Sequence, residues 1–341
     1  MRILAGWSLT AGAIIGALVV GPGAVAKTVA APPIEPGTYT RIAVPGAVTM
    51  AEGISDSGVI VGCLKRKTGP MRGFIDRHGR FTIITDPAAA TSRAGITCPA
   101  GIDNAGAIVG QYRDRSGVFH GFLYQNRKFT TIDEPHAGRR SGQGTTAVEI
   151  NKAGVIVGWY VTSKGAVRGF ILKAGVFKTV TDPAADSVGE GTVLNGIEDN
   201  GTISGLYADI HGREHGFWYR NGVFHKVDVP GAHNTEVVCI SERRGLIVGS
   251  YQPRSGSAFR AFTYHHGVFR TLPNPVNSVD VFPQCGNDIG RVVGFYITDK
   301  GRTRAFRFTP AKASASISVM PSRTRPTTSA LASPRSPGLG G

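Results

Sequence analysis

An apolar strand that ends in glycine recurs six times, and the interval between copies fixes what this chain can fold into. The copies are Ile60-Val61-Gly62, Ile108-Val109-Gly110, Ile156-Val157-Gly158, Ile203-Ser204-Gly205, Ile247-Val248-Gly249 and Val292-Val293-Gly294. Successive glycines lie 44 to 48 residues apart. A second strand follows each copy: Arg72-Gly73-Phe74, His120-Gly121-Phe122, Arg168-Gly169-Phe170, His215-Gly216-Phe217, Arg260-Ala261-Phe262 and Arg304-Ala305-Phe306. A third runs from an aromatic residue to a proline six positions on, as in Phe81 to Pro87, Phe129 to Pro135, Phe177 to Pro183, Phe224 to Pro230 and Phe269 to Pro275. A fourth precedes the first turn, as in Ala51 to Ile54 and Ala100 to Ile102.

Four short strands per unit of about 45 residues is the pattern of a β-propeller. No segment holds a helical period. Runs such as Val155 to Tyr160 are apolar at consecutive positions, so both strand faces must be covered. A β-solenoid would also stack repeats, but its units are shorter, and the termini speak against it. The sixth unit stops at Phe308 without its aromatic-to-proline strand, while Tyr39 to Pro45 supplies that spacing at the other end of the chain. A ring closed by its first strand needs this arrangement and leaves no raw edge. The expected fold is therefore all-β, a six-bladed β-propeller of four-stranded blades over 38–310, closed by the N-terminal strand.

These residues resemble the extracellular repeat family named for its His-Ala-Phe tripeptide. The resemblance spans about residues 38–308, and Phe129-Thr130-Thr131-Ile132-Asp133-Glu134-Pro135 lies close to that family's consensus. Arginine replaces histidine in four of the six tripeptides, and the last two units diverge further. The resemblance implies an exported, repeat-built protein and carries over no catalytic residue or substrate.

The ends read differently from the body. Arg2, an uncharged apolar stretch from Ile3 to Val20, and Ala24-Val25-Ala26 give residues 1–26 the form of a cleavable signal peptide. A retained membrane anchor is the rival, since the stretch is near the lower limit of spanning length. With cleavage, no membrane span is expected in the mature form. Residues 27–37 read as a linker, and 311–341 as a disordered basic tail of Ser, Thr and Pro without hydrophobic period. The predicted location is secreted, extracellular or in the cell envelope, periplasmic where the host has an outer membrane. The 47 glycines, roughly twice the usual share, are spread along the chain and argue for many tight turns. Net charge is +15, and the body remains basic without Arg2 and the tail's Lys312, Arg323, Arg325 and Arg335. Acidic partners are expected.

No nucleophile motif, paired metal-binding histidines, phosphate loop or Cys-x-x-Cys is present. No cofactor and no metal are expected, and His265-His266 reads as a polar hairpin turn. The Asp and Asn residues before the turn glycines (Asp56, Asp103, Asn104, Asn151, Asp199, Asn200, Asn287, Asp288, with Glu242 in the fifth unit) suit calcium, but they suit hairpin turns better. Arg72, His120, Arg168, His215, Arg260 and Arg304 form one basic position per unit. Each is expected to hydrogen-bond within its own blade rather than encircle an anion.

Recognition is expected on the variable loops of one face. Lys65, Arg66 and Lys67 are consecutive, Arg113 and Arg115 occupy the corresponding loop one unit on, and Arg139 and Arg140 lie in the next crossover. These seven cations are the candidate ligand-binding residues. They suggest a monomeric binding module for anionic polysaccharide or a cell-surface polymer, with no specific nucleic acid. The alternative is a carbohydrate-active hydrolase or lyase using carboxylates at a channel mouth, drawn from Glu52, Glu149, Glu190, Glu236 and Asp280. Four cysteines in an exported chain favour disulfides. Repeat alignment pairs Cys63 with Cys98 and Cys239 with Cys285, against the reading of buried free thiols.

Overall fold

The computed structural model describes residues 36–189, 191–241 and 245–311. The expected leader, the linker as far as residue 35 and the tail from residue 312 lie outside the described residues, as do Glu190 and Glu242. Among the described residues there are strands and no helix, hence none long and apolar enough to cross a membrane.

The first strand, β1, is Gly37–Ile42. It is followed by groups of four antiparallel strands. The first group is β2 (Ala47–Ile54), β3 (Ile60–Arg66), β4 (Met71–Arg77) and β5 (Arg80–Ile84). The second is β6 (Ile96–Ile102), β7 (Ile108–Arg113), β8 (Phe119–Gln125) and β9 (Lys128–Ile132). The third is β10 (Gly144–Ile150), β11 (Ile156–Val161), β12 (Val167–Lys173) and β13 (Val176–Val180). The fourth is β14 (Thr192–Ile197), β15 (Ile203–Ala208), β16 (Glu214–Arg220) and β17 (Val223–Lys226). The fifth is β18 (Asn234–Ser241), β19 (Leu246–Gln252), β20 (Arg260–His265) and β21 (Val268–Thr271). The sixth has only three strands of its own: β22 (Ser278–Gly286), β23 (Val292–Thr298) and β24 (Thr303–Pro310).

The fourth member of that last group is β1. It runs antiparallel to β24 with Gly37 opposite Pro310 and Ile42 opposite Ala305. The aromatic contacts show that the equivalence extends to side chains. In five groups a phenylalanine of the third strand meets one of the fourth, with ring centroids 5.0–5.7 Å apart: Phe74 with Phe81, Phe122 with Phe129, Phe170 with Phe177, Phe217 with Phe224 and Phe262 with Phe269. In the sixth group Tyr39 of β1 meets Phe306 at 5.0 Å, edge to face. Such contacts add to the burial of the rings, since edge and face carry opposite partial charge.

The recurring sequence residues are explained by this geometry. Phe74, Phe122, Phe170, Phe217, Phe262 and Phe306 are all fully buried. The glycine of each Ile-Val-Gly strand faces the backbone of its inner neighbour. A Cβ on Gly62 would run into the Met50 carbonyl, and one on Gly110 into that of Cys98. Separate apolar clusters lie between successive groups, for example Val61, Ile75 and Phe122, or Val157, Leu194 and Phe217. One cluster joins Leu64 and Phe74 of the first group to Val293, Phe306 and Phe308 of the sixth. The two ends of the chain thus share a core.

Of the expected disulfides, Cys63–Cys98 is present and ties the first group to the second. Cys239 and Cys285, the other expected pair, are both buried and face each other. Their sulfurs lie 2.7 Å apart, and both also point at the Gly286 carbonyl, at 3.3 and 3.5 Å. Repeat alignment placed them at the right height but does not decide bonding.

Candidate functional site

Two regions carry chemistry: a cavity lined by the first strands of the groups, and the loops that lead into those strands.

The cavity begins with a repeated irregularity. Each of β2, β6, β10, β14, β18 and β22 slips register by one residue against its neighbour, at Glu52, Ala100, Val148, Asn195, Val238 and Gln284. A bulge leaves one residue unpaired and re-aims its side chain. All six bulged residues line one cavity. The next residue is glycine in three groups because the strands crowd here; a Cβ on Gly53 would lie 2.5 Å from the Ala100 carbonyl.

Glu149 and Glu236 line the same cavity, together with Gln111 and Trp159. The structure therefore gathers three of the five carboxylates considered from sequence. Asp280 is not among them; it accepts a hydrogen bond from the Phe259 N–H at 2.9 Å. Burial pushes Glu52 and Glu149 up to about 8. Desolvation is the cause in both, since a carboxylate away from water loses its hydration. For Glu149 the Ile150 N–H, donating at 3.0 Å, works against that rise. Glu236 accepts from Asn195 Nδ2 at 3.2 Å and Ser250 Oγ at 3.1 Å.

Below this cavity lies a second one, formed where the first strands turn, and Glu149 borders both. Here the turn reading of the Asx residues fits the hydrogen bonds. Asp103 accepts from Ala107 N–H, Asn151 from Val155 N–H and Asn287 from Arg291 N–H. The turns also bind one another: Asn104 Nδ2 donates to Asp56 at 2.7 Å, and the Asp288 N–H donates to Asp56 at 2.9 Å.

On the loop side the crossovers and the loops between second and third strands are bonded together. Ala90 N–H donates to the Arg113 carbonyl, Gly138 N–H to Val161 and His233 N–H to Gln252. Several predicted cations serve this framework. Lys65 Nζ donates to the carbonyls of Gly69 and Arg93, at 2.9 and 2.7 Å. Burial, reinforced by the Arg93 guanidinium, holds its pKa below the usual lysine value. Arg66 donates to the Pro45 carbonyl, and Arg113 to Gly117 and Ser141. Lys67, Arg115, Arg139 and Arg140 are exposed.

One surface recess is lined by Arg41, Lys65, Arg66 and Lys67 with residues 43–48, and by no carboxylate. Arg41 was not anticipated, because it stands in β1, far from the Lys-Arg-Lys run in sequence. Its signal was available: β1 leads directly into β2, which keeps residues 41–46 beside the first group.

The six-fold basic position divides. His120 lies between Asp133 (2.8 Å) and Asp114 (3.5 Å), and His215 between Asp228 (2.7 Å) and Asp209 (3.3 Å). Each ring also packs against a tyrosine, Tyr112 or Tyr207. Arg168 donates to the Val167 and Ser187 carbonyls. Arg72 and Arg260 are exposed, so for them the expectation of bonding within the blade is not met by any described side-chain hydrogen bond.

No family model matches the sequence, and no curated protein matches it. Among solved structures the chain is similar to AofleA from Arthrobotrys oligospora, at 11% identity over 80% of this chain and 86% of that one, with a TM-score of 0.50. At that identity the likeness is one of fold alone. A weaker likeness, TM-score 0.43 at 9% identity, covers 81% of this chain and all of the Aleuria aurantia lectin, described as a fungal lectin with a six-bladed β-propeller fold and a fucose recognition mode. TolB from Acinetobacter baumannii gives 0.48 at 13% identity, over 74% of this chain and 64% of that one.

Proposed function

We propose that this chain is an exported six-bladed β-propeller, akin to the His-Ala-Phe repeat family, that binds anionic polysaccharide or a cell-wall polymer on its loop face. Support for the ring comes from β1 completing the sixth group and from the core shared between first and last groups. The observation that carries the binding reading is the recess of Arg41, Lys65, Arg66 and Lys67. Four cations surround one concavity, and none of them forms an ion pair among the described residues. Lys65 and Arg66 spend hydrogen bonds on carbonyls and fix the loop; Lys67 and Arg41 stay exposed to meet a ligand.

Binding is favoured over a hydrolysis carried out by Glu52 and Glu149 as a pair. An acid and a base need environments that push their pKa values apart. Glu52 and Glu149 are both pushed the same way by burial, so those two do not make such a pair with each other.

The test is binding of dextran sulfate and alginate to the native protein and to the Arg41→Gln/Lys67→Gln variant at several salt concentrations. We expect a loss of about tenfold, or ~1.4 kcal/mol, with weaker salt dependence, because fewer exposed charges are left to screen. An equal loss on replacing Arg77 and Arg80 instead, or equal binding of uncharged dextran, overturns the assignment.

A further inference from the structure

The cavity is acidic inside a basic protein. Glu52, Glu149 and Glu236 come from the first, third and fifth groups, and no Lys, Arg or His lines the space they share. Two of the three have donors of their own: the Ile150 N–H for Glu149, and Asn195 and Ser250 for Glu236. Glu52 differs. Among the described residues its carboxylate lies beside the sulfur of Cys63, at 3.9 Å, and close to that of Cys98. The two sulfurs are bonded to each other and have no proton to give. A bulge therefore directs into the cavity a carboxyl group that, among the described residues, receives no hydrogen bond from an N–H or O–H and faces no cation. Leaving such a group uncompensated is costly, and the cost is relieved by a cation that brings its own donors.

We propose that the cavity binds a primary ammonium group, with Glu52 as its counter-charge. A metal ion suits the site less well. Among the described residues, the one group of three metal-ligating side chains that converges is Glu52 with Cys63 and Cys98, and the disulfide consumes both thiols. Glu149 and Glu236 do not join it, because the three acids stand at different positions along their strands: at the bulge, one residue after it and two before it. An organic cation with several donors can reach acceptors at different depths, whereas one ion cannot. The amide side chains of Asn195 and Gln284, both bulged residues, offer further acceptors. Trp159 adds an aromatic ring, whose face attracts ammonium groups. The effect of burial agrees: it holds the Glu52 carboxyl towards its neutral, protonated form.

This site shares no residue with the basic recess, so either can fail alone. The experiment is calorimetric titration of the purified protein with glucosamine, N-acetylglucosamine, 1,4-diaminobutane and calcium chloride. Glucosamine binding alone among the amines identifies an amino-sugar site; binding of both amines identifies the ammonium group as what is recognised. In either case Glu52→Gln should weaken binding about tenfold or more, since a charge-assisted bond becomes a neutral one. Ala100→Leu, which fills the cavity and leaves every carboxylate in place, should abolish it. The thermal melts of both variants establish that they fold. Equal binding of N-acetylglucosamine, calcium binding without amine binding, no heat from either amine, or an unchanged affinity in folded Glu52→Gln overturns the proposal.

Discussion

The loop face and the cavity handle charge in opposite ways. On the loop face, Lys65, Arg66 and Arg113 each donate to backbone carbonyls, so the cations organise the loops while remaining close to water. In the cavity, Glu52 receives no hydrogen bond from an N–H or O–H among the described residues, and Glu149 has one backbone N–H. A solvated cation with hydrogen bonds costs little and stabilises little. A desolvated carboxyl without them weakens the fold unless it holds a proton or a ligand. The difference teaches where to look for structure and where for recognition: Lys65, Arg66 and Arg113 are framework, and Glu52 is a charge that the framework does not explain.

Removing β1 should produce the largest effect and separates the two regions cleanly. The strand walls the recess through Arg41, yet contributes nothing to the cavity lining. Deleting residues 38–45 uncovers Phe306 and Phe308, both fully buried and packed on Tyr39. Loss of that cover alone costs about 3–6 kcal/mol, and the freed edge of β24 invites aggregation. Chemical denaturation and light scattering measure both. A truncated protein that stays monomeric with an unchanged midpoint would show that β1 does not close the fold.

The next effect tests the cavity. Because Glu52 is pushed up to about 8, the folded protein holds a proton there that the unfolded chain releases near the ordinary carboxylate value. Its raised pKa means that stability is greatest below the unfolded value and falls as pH rises from about 4.5 to 8. Glutamine cannot ionise, so Glu52→Gln should remove that decline. The variant should match the native protein at pH 4.5 and exceed it by about 2–4 kcal/mol at pH 8, at ~1.4 kcal/mol per unit and allowing for solvent in the cavity. Parallel stability curves for the two proteins would mean that Glu52 is not desolvated.

Much of this architecture was legible in the sequence. The six Ile-Val-Gly copies marked the second strands, and the spacing from Tyr39 to Pro45 located the strand that β24 lacked. The cavity was not legible, because a bulge is a property of two strands in register and neither strand shows it alone. The available hint was Glu52-Gly53-Ile54, Ala100-Gly101-Ile102 and Asn195-Gly196-Ile197, where glycine follows the residue that turns inward. The loop cations were found as residues, but their carbonyl partners belong to crossovers whose course no repeat dictates. Asp114 and Asp209 stand among the loop cations in sequence, and in the structure each faces a histidine.

That histidine arrangement gives the smallest effect and returns to the loop face, where charge is partnered. Hydrogen bonding to Asp133 is the main cause raising the pKa of His120, and Asp114 adds to it. The imidazolium form is thereby favoured in the folded state. Its contribution is fully present below the unfolded histidine value of about 6.5 and is lost as pH rises through the higher folded value. Asp133 is half exposed, so water screens the pair and the contribution should be about 1 kcal/mol or less. His120→Gln keeps a polar side chain but cannot be protonated. Its deficit against the native protein should be largest near pH 5.5 and shrink above neutrality, whereas packing on Tyr112 gives a deficit that does not vary with pH. Asp133→Asn should remove most of the pH-dependent part and spare the constant part. Should the native and His120→Gln melting curves stay a fixed distance apart from pH 5 to 8, the ring is held by stacking and the two carboxylates are bystanders. Partnered charge on the loop face would then be as neutral energetically as the carbonyl-bound cations beside it, and the contrast with Glu52 would be wider still.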